Sequence, residues 1–330
     1  MLVRKFSWQL ILVGVAGFTL GLLFTSLPSS HRTRGIDVSF REAYMDAQRL
    51  AGVRGVKISS LGFGIRARTL IFKDKSFAMV LPLNSTAVTA WDIHNLIMDT
   101  GRLHDKETNF AVDVFSRFCG KHGPQLVLDV GSNVGYYSLL AVAFGCKVMT
   151  FDGNLETLDY LKMSLAMNGF SDHVKVVEAL VSNVTNVQFD GWNVKSNSGA
   201  SASPGYVTTR SVKLDDVVRE PVLYAKIDVE GWEPAVFASA RKLFQREPPL
   251  YLFFEMTYYL EKWKHEYLEV FMMLTAAGYK CESSVLQKIF DMPTTKEAFD
   301  AMLKGYSFAC DPTKINFCQD EFSCVLSSAS

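Results

Sequence analysis

The feature that most constrains this fold is a regular alternation of short apolar runs and helix-like stretches that begins at Gln125. The apolar runs predict strands at 126–130, 147–151, 174–181, 222–228 and 250–255, and the stretches between them predict helices at 134–144, 155–168, 233–244 and 261–277. Apolar strands separated by helices are typical of a parallel sheet that helices cover. The sequence therefore predicts an α/β domain.

A glycine-containing turn follows the first of these strands, in the run LVLDVGSNVG at 126–135. Ligands of α/β sheets bind at the carboxyl ends of strands, and glycines there let the backbone approach a ligand closely. Gly131 and Gly135 are four residues apart, so the middle glycine of the dinucleotide-binding pattern G-x-G-x-x-G is missing. The turn therefore disfavours a diphosphate, and the carboxylate of Asp129 beside it favours a cationic ligand with an amino group.

Asp152 comes directly after the second predicted strand, 23 residues after Asp129. An acid at about this distance beyond a glycine turn is placed to accept hydrogen bonds from both hydroxyls of a ribose. An aspartate at a strand end is also a common helix N-cap, which is the alternative interpretation of Asp152. Strand, glycine turn, helix, strand and acid in this order predict a ligand that contains a ribose.

At these motifs the chain resembles the class I S-adenosylmethionine-dependent methyltransferases and, within them, the FkbM family. The resemblance rests on LVLDVGSNVGYYSLL at 126–140, FDGNLETLDYLKMSLAMNG at 151–169, VKLDDV at 212–217 and AKIDVEGWEPAVF at 225–237, and it covers roughly residues 125–278. The run KIDVEGWE at 226–233 is the most specific part, because it separates FkbM-like proteins from other methyltransferases. The chain departs from the family at Asp152-Gly153, where Glu-Pro is more common.

The resemblance implies a Rossmann-like, doubly wound and mainly parallel sheet of the class I methyltransferase type. It also implies a protein that binds S-adenosyl-L-methionine and methylates a hydroxyl of a small molecule or a glycan. The residues implied to bind the cofactor are Asp129, Gly131, Ser132, Asn133, Gly135, Tyr136, Asp152, Glu178 and Ala179. Asp228, Glu230 and Glu255 are implied to orient or deprotonate the acceptor hydroxyl. Residues 228 and 230 would point the same way if the fourth strand continued that far.

Alternatives remain open at the same residues. Lys226 would form an ion pair with Glu230 or Glu233 in a purely structural arrangement, and Tyr136 and Tyr137 would be core residues of their helix. A nicotinamide-dependent Rossmann oxidoreductase and a non-catalytic binding protein with the methyltransferase fold are the alternative functions. No metal site is predicted, because a divalent ion between Asp228 and Glu230 lacks a third ligand and the six histidines show no ligand spacing.

The N-terminal residues 6–27 carry no charge and are long enough to cross a bilayer as a helix. We predict a single-pass transmembrane anchor at 1–27, with a cleaved signal peptide as the alternative. A stem at 28–35, an α+β extension at 36–124 and the methyltransferase-like domain at 125–330 follow. The predicted orientation places the domain in the lumen of the ER or Golgi, in agreement with N-x-[ST] glycosylation motifs at Asn84 and Asn183.

Within the extension, helical spacing predicts helices at 38–50 and 107–119, and two strands are predicted within 68–83. In the tail, Cys310, Cys318 and Cys324 lie within the last 21 residues. They predict either a disulfide that fixes the tail or buried free thiols. The chain has 34 basic and 34 acidic residues, and this balance disfavours charge-driven binding of nucleic acid.

Overall fold

The computed structural model describes residues 12–13, 21–22, 65–82, 93–121, 123, 125–184, 187–189, 207–259, 264–305 and 317–329. The elements before residue 125 are β1 (Leu12–Val13), β2 (Gly21–Leu22), β3 (Ile65–Phe72), β4 (Lys75–Pro82), α1 (Ile93–Thr100) and α2 (Asp105–Phe118). β3 and β4 form an antiparallel hairpin, and β1 pairs with β2 and β3. The hairpin and α2 confirm the predictions for 68–83 and 107–119, whereas the helix predicted at 38–50 lies outside the described residues.

From residue 125 onward, strands alternate with helices. In chain order the elements are β5 (Leu126–Val130), α3 (Tyr136–Ala143), β6 (Lys147–Asp152), α4 (Leu155–Asn168), β7 (Val174–Glu178), β8 (Leu180–Val181), β9 (Val187–Phe189), β10 (Val207–Thr209), β11 (Ser211–Val212), α5 (Leu214–Val217), β12 (Val222–Ile227), α6 (Glu233–Ser239), α7 (Arg241–Arg246), β13 (Tyr251–Tyr259), α8 (Lys264–Ala277), β14 (Tyr279–Ser283), β15 (Lys288–Phe290), α9 (Lys296–Gly305) and β16 (Phe317–Leu326), with 3₁₀ helices at Ser171–His173 and Ser327–Ala329. The predicted strands correspond to β5, β6, β7 with β8, β12 and β13. The helix predicted at 233–244 is instead divided into α6 and α7, with Ala240 between them.

The central sheet has the strand order β15-β14-β16-β13-β12-β5-β6-β7. Neighbouring strands from β13 to β7 are parallel, whereas β16 runs antiparallel to both β13 and β14. The chain runs outward from β5 through β6 to β7 and then returns to β12 on the other side of β5. This reversal of strand order creates a crevice at the carboxyl ends of β5 and β12, the place where such sheets bind ligands. The predicted mainly parallel, doubly wound α/β sheet is thus confirmed.

The tail is part of this sheet, because β16 lies between β13 and β14. A disulfide joins Cys324 of β16 to Cys281 of β14, with a Cα–Cα distance of 4.0 Å. The predicted stapling of the tail is confirmed, but the partner is Cys281 rather than a second cysteine of the tail. A further disulfide, Cys119–Cys146, joins the end of α2 to the residue before β6, with a Cα–Cα distance of 4.8 Å. This pairing was not predicted from the sequence.

The described part of the extension packs against the α/β domain and shares its core. The N–H of Val80 in β4 donates to Ser164 Oγ in α4 at 2.9 Å. The ring of Phe115 in α2 meets the ring of Tyr224 in β12 at a centroid distance of 5.1 Å. A second apolar cluster, which contains Phe237, covers the other face of the sheet. The extension therefore completes one of the two apolar layers around the sheet.

Among the described residues, no helix combines the length and the apolar character that crossing a bilayer requires. The predicted anchor has four described residues, and these lie in β1 and β2 rather than in a helix. The rest of the anchor, the stem at 28–35, Asn84 and Cys310 lie outside the described residues. Asn183 is described and exposed.

Candidate functional site

The candidate site lies at the carboxyl edge of the sheet, where β5 and β12 are neighbours. Lys226 of β12 is paired in register with Asp129 of β5. The N–H of Asp228, directly after β12, donates to the carbonyl oxygen of Val130 at 3.1 Å. The glycine turn after β5 and the run after β12, which are about 100 residues apart in sequence, therefore form one site.

Both glycines of the turn are required by close contacts with other parts of the protein. Gly131 has a φ of +78°, and a Cβ there would lie 1.8 Å from the carbonyl oxygen of Asp228. Gly135 has a φ of +85°, and a Cβ there would lie 2.2 Å from Leu161 Cδ1 of α4. The glycine turn predicted close approach of a ligand at these two residues. The close approach in the structure is instead to the loop after β12 and to α4.

Two buried polar atoms beside this turn have no hydrogen-bond partner within the described part of the chain, namely Asp129 Oδ1 and Ser132 Oγ. The other carboxylate oxygen of Asp129 accepts from Ser138 Oγ at 2.6 Å. Burial raises the pKa of Asp129, and the ammonium of Lys226, 4.0 Å from Oδ1, opposes that rise. Buried polar atoms in proteins nearly always have a partner, so these two indicate that a polar ligand completes the turn.

Asp152, at the end of β6, receives two backbone hydrogen bonds. Its Oδ2 accepts from the N–H of Asn133, and its Oδ1 accepts from the N–H of Asn154, both at 2.8 Å. Asn154 is the N-cap of α4, since its side chain accepts from the N–H of Glu156, so the N-cap interpretation of Asp152 is wrong. Burial raises the pKa of Asp152, and the two N–H donors oppose that rise. A carboxylate can accept about four hydrogen bonds, so Asp152 keeps acceptor capacity for two hydroxyls.

Lys226 is buried near the end of β12, and its ammonium donates to the carbonyl oxygen of Gly131 at 2.9 Å. It also forms an ion pair with Asp228 Oδ2 at 3.1 Å. The pKa of Lys226 is raised because the attraction of Asp228, Asp129 and Glu107 outweighs the opposing effect of burial. Its partners are thus Asp228 and Asp129, and the predicted alternative pairing with Glu230 or Glu233 is wrong.

Glu230 does not continue β12, which ends at Ile227. Its φ is +54°. The strand therefore does not continue far enough for Asp228 and Glu230 to point the same way, which was the condition for placing them on one face. Burial, followed by repulsion from Asp228 and Glu233, raises the pKa of Glu230 to about 8. Glu230 is therefore mainly protonated at neutral pH, whereas Asp228 has an ammonium partner.

Glu255 of β13, the third predicted acceptor-side residue, is buried, and the structure groups it with Asp228 and Glu233. One carboxylate oxygen from each of the three lies within 4.8 Å of the others. Glu233 is already engaged, because it accepts from the N–H groups of Val229 and Gly231 and from Tyr267 Oη. Burial raises the pKa of Glu233 to about 7. Three carboxylates at this spacing are the donor set of a divalent cation, but the engaged oxygens of Glu233 also explain the group without one.

Two carboxyl groups near the site come from outside the resemblance and were not predicted from the sequence. Glu107, in the first turn of α2, is buried, and its Oε1 has no hydrogen-bond partner among the described residues. Burial raises the pKa of Glu107 well above its ordinary value, while Lys226 opposes that rise. Glu321 of β16 lies opposite Glu255 in register, and burial raises its pKa too. A signal existed for Glu107, which falls on the apolar face of its helix, three residues before Phe110.

The remaining predicted cofactor residues differ in their placement. The ring of Tyr136 lies in the core against Phe72, with a centroid distance of 6.1 Å, so its side chain is a core residue rather than a cofactor contact. Glu178 lies beside Asp152 in register, and its half-exposed side chain pairs with Lys162 at 2.7 Å. Ala179 is buried directly after it. Asp152, Glu178 and Ala179 thus share one edge of the sheet.

An open groove of about 820 Å³ lies elsewhere, between α6, α7 and α8. Phe237, Arg241 and Met273 are among its lining residues. None of the predicted site residues lines it. The groove is therefore separate from the candidate site.

No curated protein matches the chain. An rRNA methylase from Streptococcus thermophilus has a TM-score of 0.39 and 14% identity, and the match covers 68% of this chain and 97% of that one. A protein from Streptococcus mutans in complex with SAH has a TM-score of 0.38 and 13% identity, with 68% and 99% covered. A methyltransferase FkbM from Methylobacillus flagellatus KT has a TM-score of 0.35 and 12% identity, and the match covers 68% of this chain and 56% of that one.

The sequence profile of the methyltransferase FkbM domain matches residues 129–281. This segment begins at Asp129 beside the glycine turn and ends at Cys281 in β14. It includes the turn, Asp152 and the run KIDVEGWE, and it excludes Glu107 and Glu321. The resemblance deduced from the motifs is confirmed, because residues 129–281 of this chain match the methyltransferase FkbM domain.

Proposed function

We propose that this protein is an S-adenosylmethionine-dependent methyltransferase that methylates a hydroxyl group. The observation that carries the proposal is that two buried polar atoms at the carboxyl end of the central strand, Asp129 Oδ1 and Ser132 Oγ, have no hydrogen-bond partner among the described residues. The amino group and carboxylate of a methionyl moiety have the polarity that these atoms require. We call Asp129, Ser132, Asn133 and Asp152 the cofactor side of the site.

Asp152 would hold the ribose of the cofactor. Its carboxylate is fixed by the N–H groups of Asn133 and Asn154, so its remaining lone pairs have a defined direction. Because both donors belong to the backbone, the carboxylate needs no side-chain reorganisation when it accepts two hydroxyls. S-adenosylmethionine supplies a methyl group that is already activated by a sulfonium.

We call Asp228, Glu230 and Glu255 the acceptor side. Asp228 is the best candidate to orient the acceptor hydroxyl and take its proton, because its side chain is 30% exposed and lies 3.1 Å from the Lys226 ammonium. Glu230 is a poorer candidate for taking the proton, because its pKa of about 8 means that it already holds a proton at neutral pH. With the methyl group supplied by bound S-adenosylmethionine, Asp228 would take the proton that the acceptor hydroxyl loses.

We also propose that the domain works in the lumen of the secretory pathway, behind an N-terminal membrane anchor, on a glycan acceptor. Two disulfides support an oxidising compartment, Cys119–Cys146 and Cys281–Cys324. Exposure of Asn183 agrees with its glycosylation motif. Mass spectrometry of the protein from secretory cells tests this placement, and free thiols at all four cysteines would contradict it.

The test of the proposed function is calorimetric titration of the full chain with S-adenosylhomocysteine, S-adenosylmethionine and NAD. We expect both adenosyl sulfur compounds to bind and NAD not to bind. Asp152→Ala should weaken their binding at least about tenfold, which corresponds to about 1.4 kcal/mol. The matched control is Asp172→Ala, at an exposed aspartate in the 3₁₀ helix after α4.

The other outcomes separate the alternative functions. NAD binding without S-adenosylhomocysteine binding would favour the oxidoreductase. Binding of S-adenosylhomocysteine, without transfer of a labelled methyl group to any hydroxyl acceptor in a glycan panel, would favour the non-catalytic binding protein. A folded chain that binds none of the three compounds contradicts the proposal.

A further inference from the structure

Lys226 is a charged residue in an otherwise apolar strand, and its side chain is only 5% exposed. Removing an ammonium from water costs several kcal/mol unless nearby groups compensate. The groups that compensate here therefore indicate what the lysine does. The contacts of its Nζ atom lead to both sides of the site.

On the cofactor side, Nζ donates to the carbonyl oxygen of Gly131 at 2.9 Å and lies 4.0 Å from Asp129 Oδ1. On the acceptor side, it lies 3.1 Å from Asp228 Oδ2. The ring of Tyr137 covers it at 5.6 Å from the ring centroid, and the buried carboxyl group of Glu107 also attracts it. A single ammonium is thus shared by the glycine turn and by the candidate catalytic carboxylate.

We propose that Lys226 is a positioning residue that fixes the cofactor-binding turn and Asp228 relative to each other. An in-line methyl transfer requires the methyl carbon and the acceptor oxygen to be held within a few tenths of an ångström of the productive geometry. Gly131 helps to place the methyl carbon, and Asp228 helps to place the acceptor oxygen. The ammonium of Lys226 bridges Gly131 and Asp228. The contact between Gly131 and the carbonyl oxygen of Asp228, which leaves no room for a Cβ, keeps the same two loops together.

This inference rests on the proposed function, but half of its test does not require a cofactor. The variant is Lys226→Met, which keeps much of the side-chain volume and removes the charge. Its matched control is Lys147→Met, at the start of β6 and hence at the opposite edge of the same sheet, where the lysine pairs with Glu220 at 2.6 Å. Each full-length variant is studied below its melting temperature, so that the folded protein is measured.

The first measurement is labelling of carboxyl groups with a carbodiimide and glycine ethyl ester in the absence of cofactor, read at Asp228 by mass spectrometry. We expect labelling of Asp228 to rise at least about threefold in Lys226→Met, because the carboxylate loses its ion-pair partner, and to stay unchanged in Lys147→Met. The second measurement is calorimetric titration with S-adenosylhomocysteine. We expect its affinity to fall about tenfold in Lys226→Met only, since the turn loses its donor to Gly131.

A purely structural role predicts a lower melting temperature with unchanged labelling of Asp228 and unchanged affinity in the folded fraction, and this outcome overturns the inference. If the wild-type chain binds no S-adenosylhomocysteine, the proposed function fails, while the labelling of Asp228 still decides whether Lys226 holds that carboxylate. If Lys226→Met does not fold, Lys226→Arg takes its place. Arginine keeps the charge but is bulkier, so we expect Asp228 to stay protected and affinity to fall about threefold; wild-type affinity in this variant overturns the inference.

Discussion

The cofactor side and the acceptor side of the site differ in how the chain supplies their residues. The cofactor side comes from one run, 129–152, in which strand, turn, helix and strand follow each other directly. The acceptor side is joined by Glu107 from the extension and by Glu321 from the tail, which flank Asp228 and Glu255. The cofactor side is thus local and rests largely on backbone hydrogen bonds. The acceptor side is assembled from distant segments, and burial raises the pKa of Glu230, Glu107 and Glu321 there.

The largest effect should come from Gly131→Ala, which disrupts the contact between the cofactor side and the acceptor side. The new Cβ would meet the carbonyl oxygen of Asp228 at 1.8 Å, so the loops must separate. We expect a loss of at least about 4 kcal/mol in the free energy of unfolding, measured by urea denaturation, and loss of S-adenosylhomocysteine binding.

The control for this variant is Gly169→Ala. Gly169 has a similar φ of +70°, but a Cβ there would have no atom within 4 Å. Its cost should be that of the backbone conformation alone, about 1–2 kcal/mol. Equal losses at Gly131 and Gly169 would show that the two sides do not depend on each other.

The double variant Cys281→Ala/Cys324→Ala should show the next largest effect. It removes the staple that holds β16, and with it Glu321, against β14, so we expect the free energy of unfolding to fall by about 2–4 kcal/mol. Affinity for S-adenosylhomocysteine, measured by calorimetry, should change by less than about twofold, because the cofactor side is local. A loss of cofactor affinity as large as the loss of stability would contradict the separation of the two sides.

Stability should depend on pH through the acceptor side. Burial raises the pKa of Glu230 to about 8 from an ordinary 4.5, so between these values the folded chain holds a proton that the unfolded chain releases. The resulting stabilisation is fully present below pH 4.5 and is lost as the pH rises toward 8. In urea denaturation, we expect the free energy of unfolding of Glu230→Gln to change less between pH 4.5 and pH 8 than that of the wild type, by about 1–2 kcal/mol.

Glu247→Gln, at an exposed residue after α7, is the control and should leave the slope as in the wild type. The same slope in wild type and Glu230→Gln would mean that Glu230 is not the titrating group.

Glu178→Gln should have the smallest effect and defines how far the cofactor side extends. Glu178 lies beside Asp152 in register, but its side chain is 47% exposed and pairs with Lys162. We expect the affinity for S-adenosylhomocysteine to fall about threefold, with the free energy of unfolding changed by less than about 0.5 kcal/mol because exposed ion pairs contribute little. Unchanged affinity in calorimetry would show that Glu178 does not belong to the cofactor side, which would then extend only as far as β6.

The sequence predicted the cofactor side better than the acceptor side, because the cofactor side comes from one continuous run of the chain and the acceptor side comes from distant segments. Asp129 and Asp152 sit in consecutive strands, so periodicity and turn residues are enough to place them at one edge. The position of β16 between β13 and β14 depends on pairing between strands far apart in the chain, which no local pattern encodes. The positive φ of Glu230 and the partners of Lys226 likewise follow from how loops meet after folding.

The two disulfides among the described residues have a topological consequence for a cleaved chain. Each joins one half-cystine inside the FkbM segment, Cys146 or Cys281, to one outside it, Cys119 or Cys324. A protease that cuts between 281 and 324 therefore cannot release the C-terminal piece, and a cut between 119 and 146 leaves both pieces joined. Nicked protein should run as one band on a non-reducing gel and as two bands only after reduction.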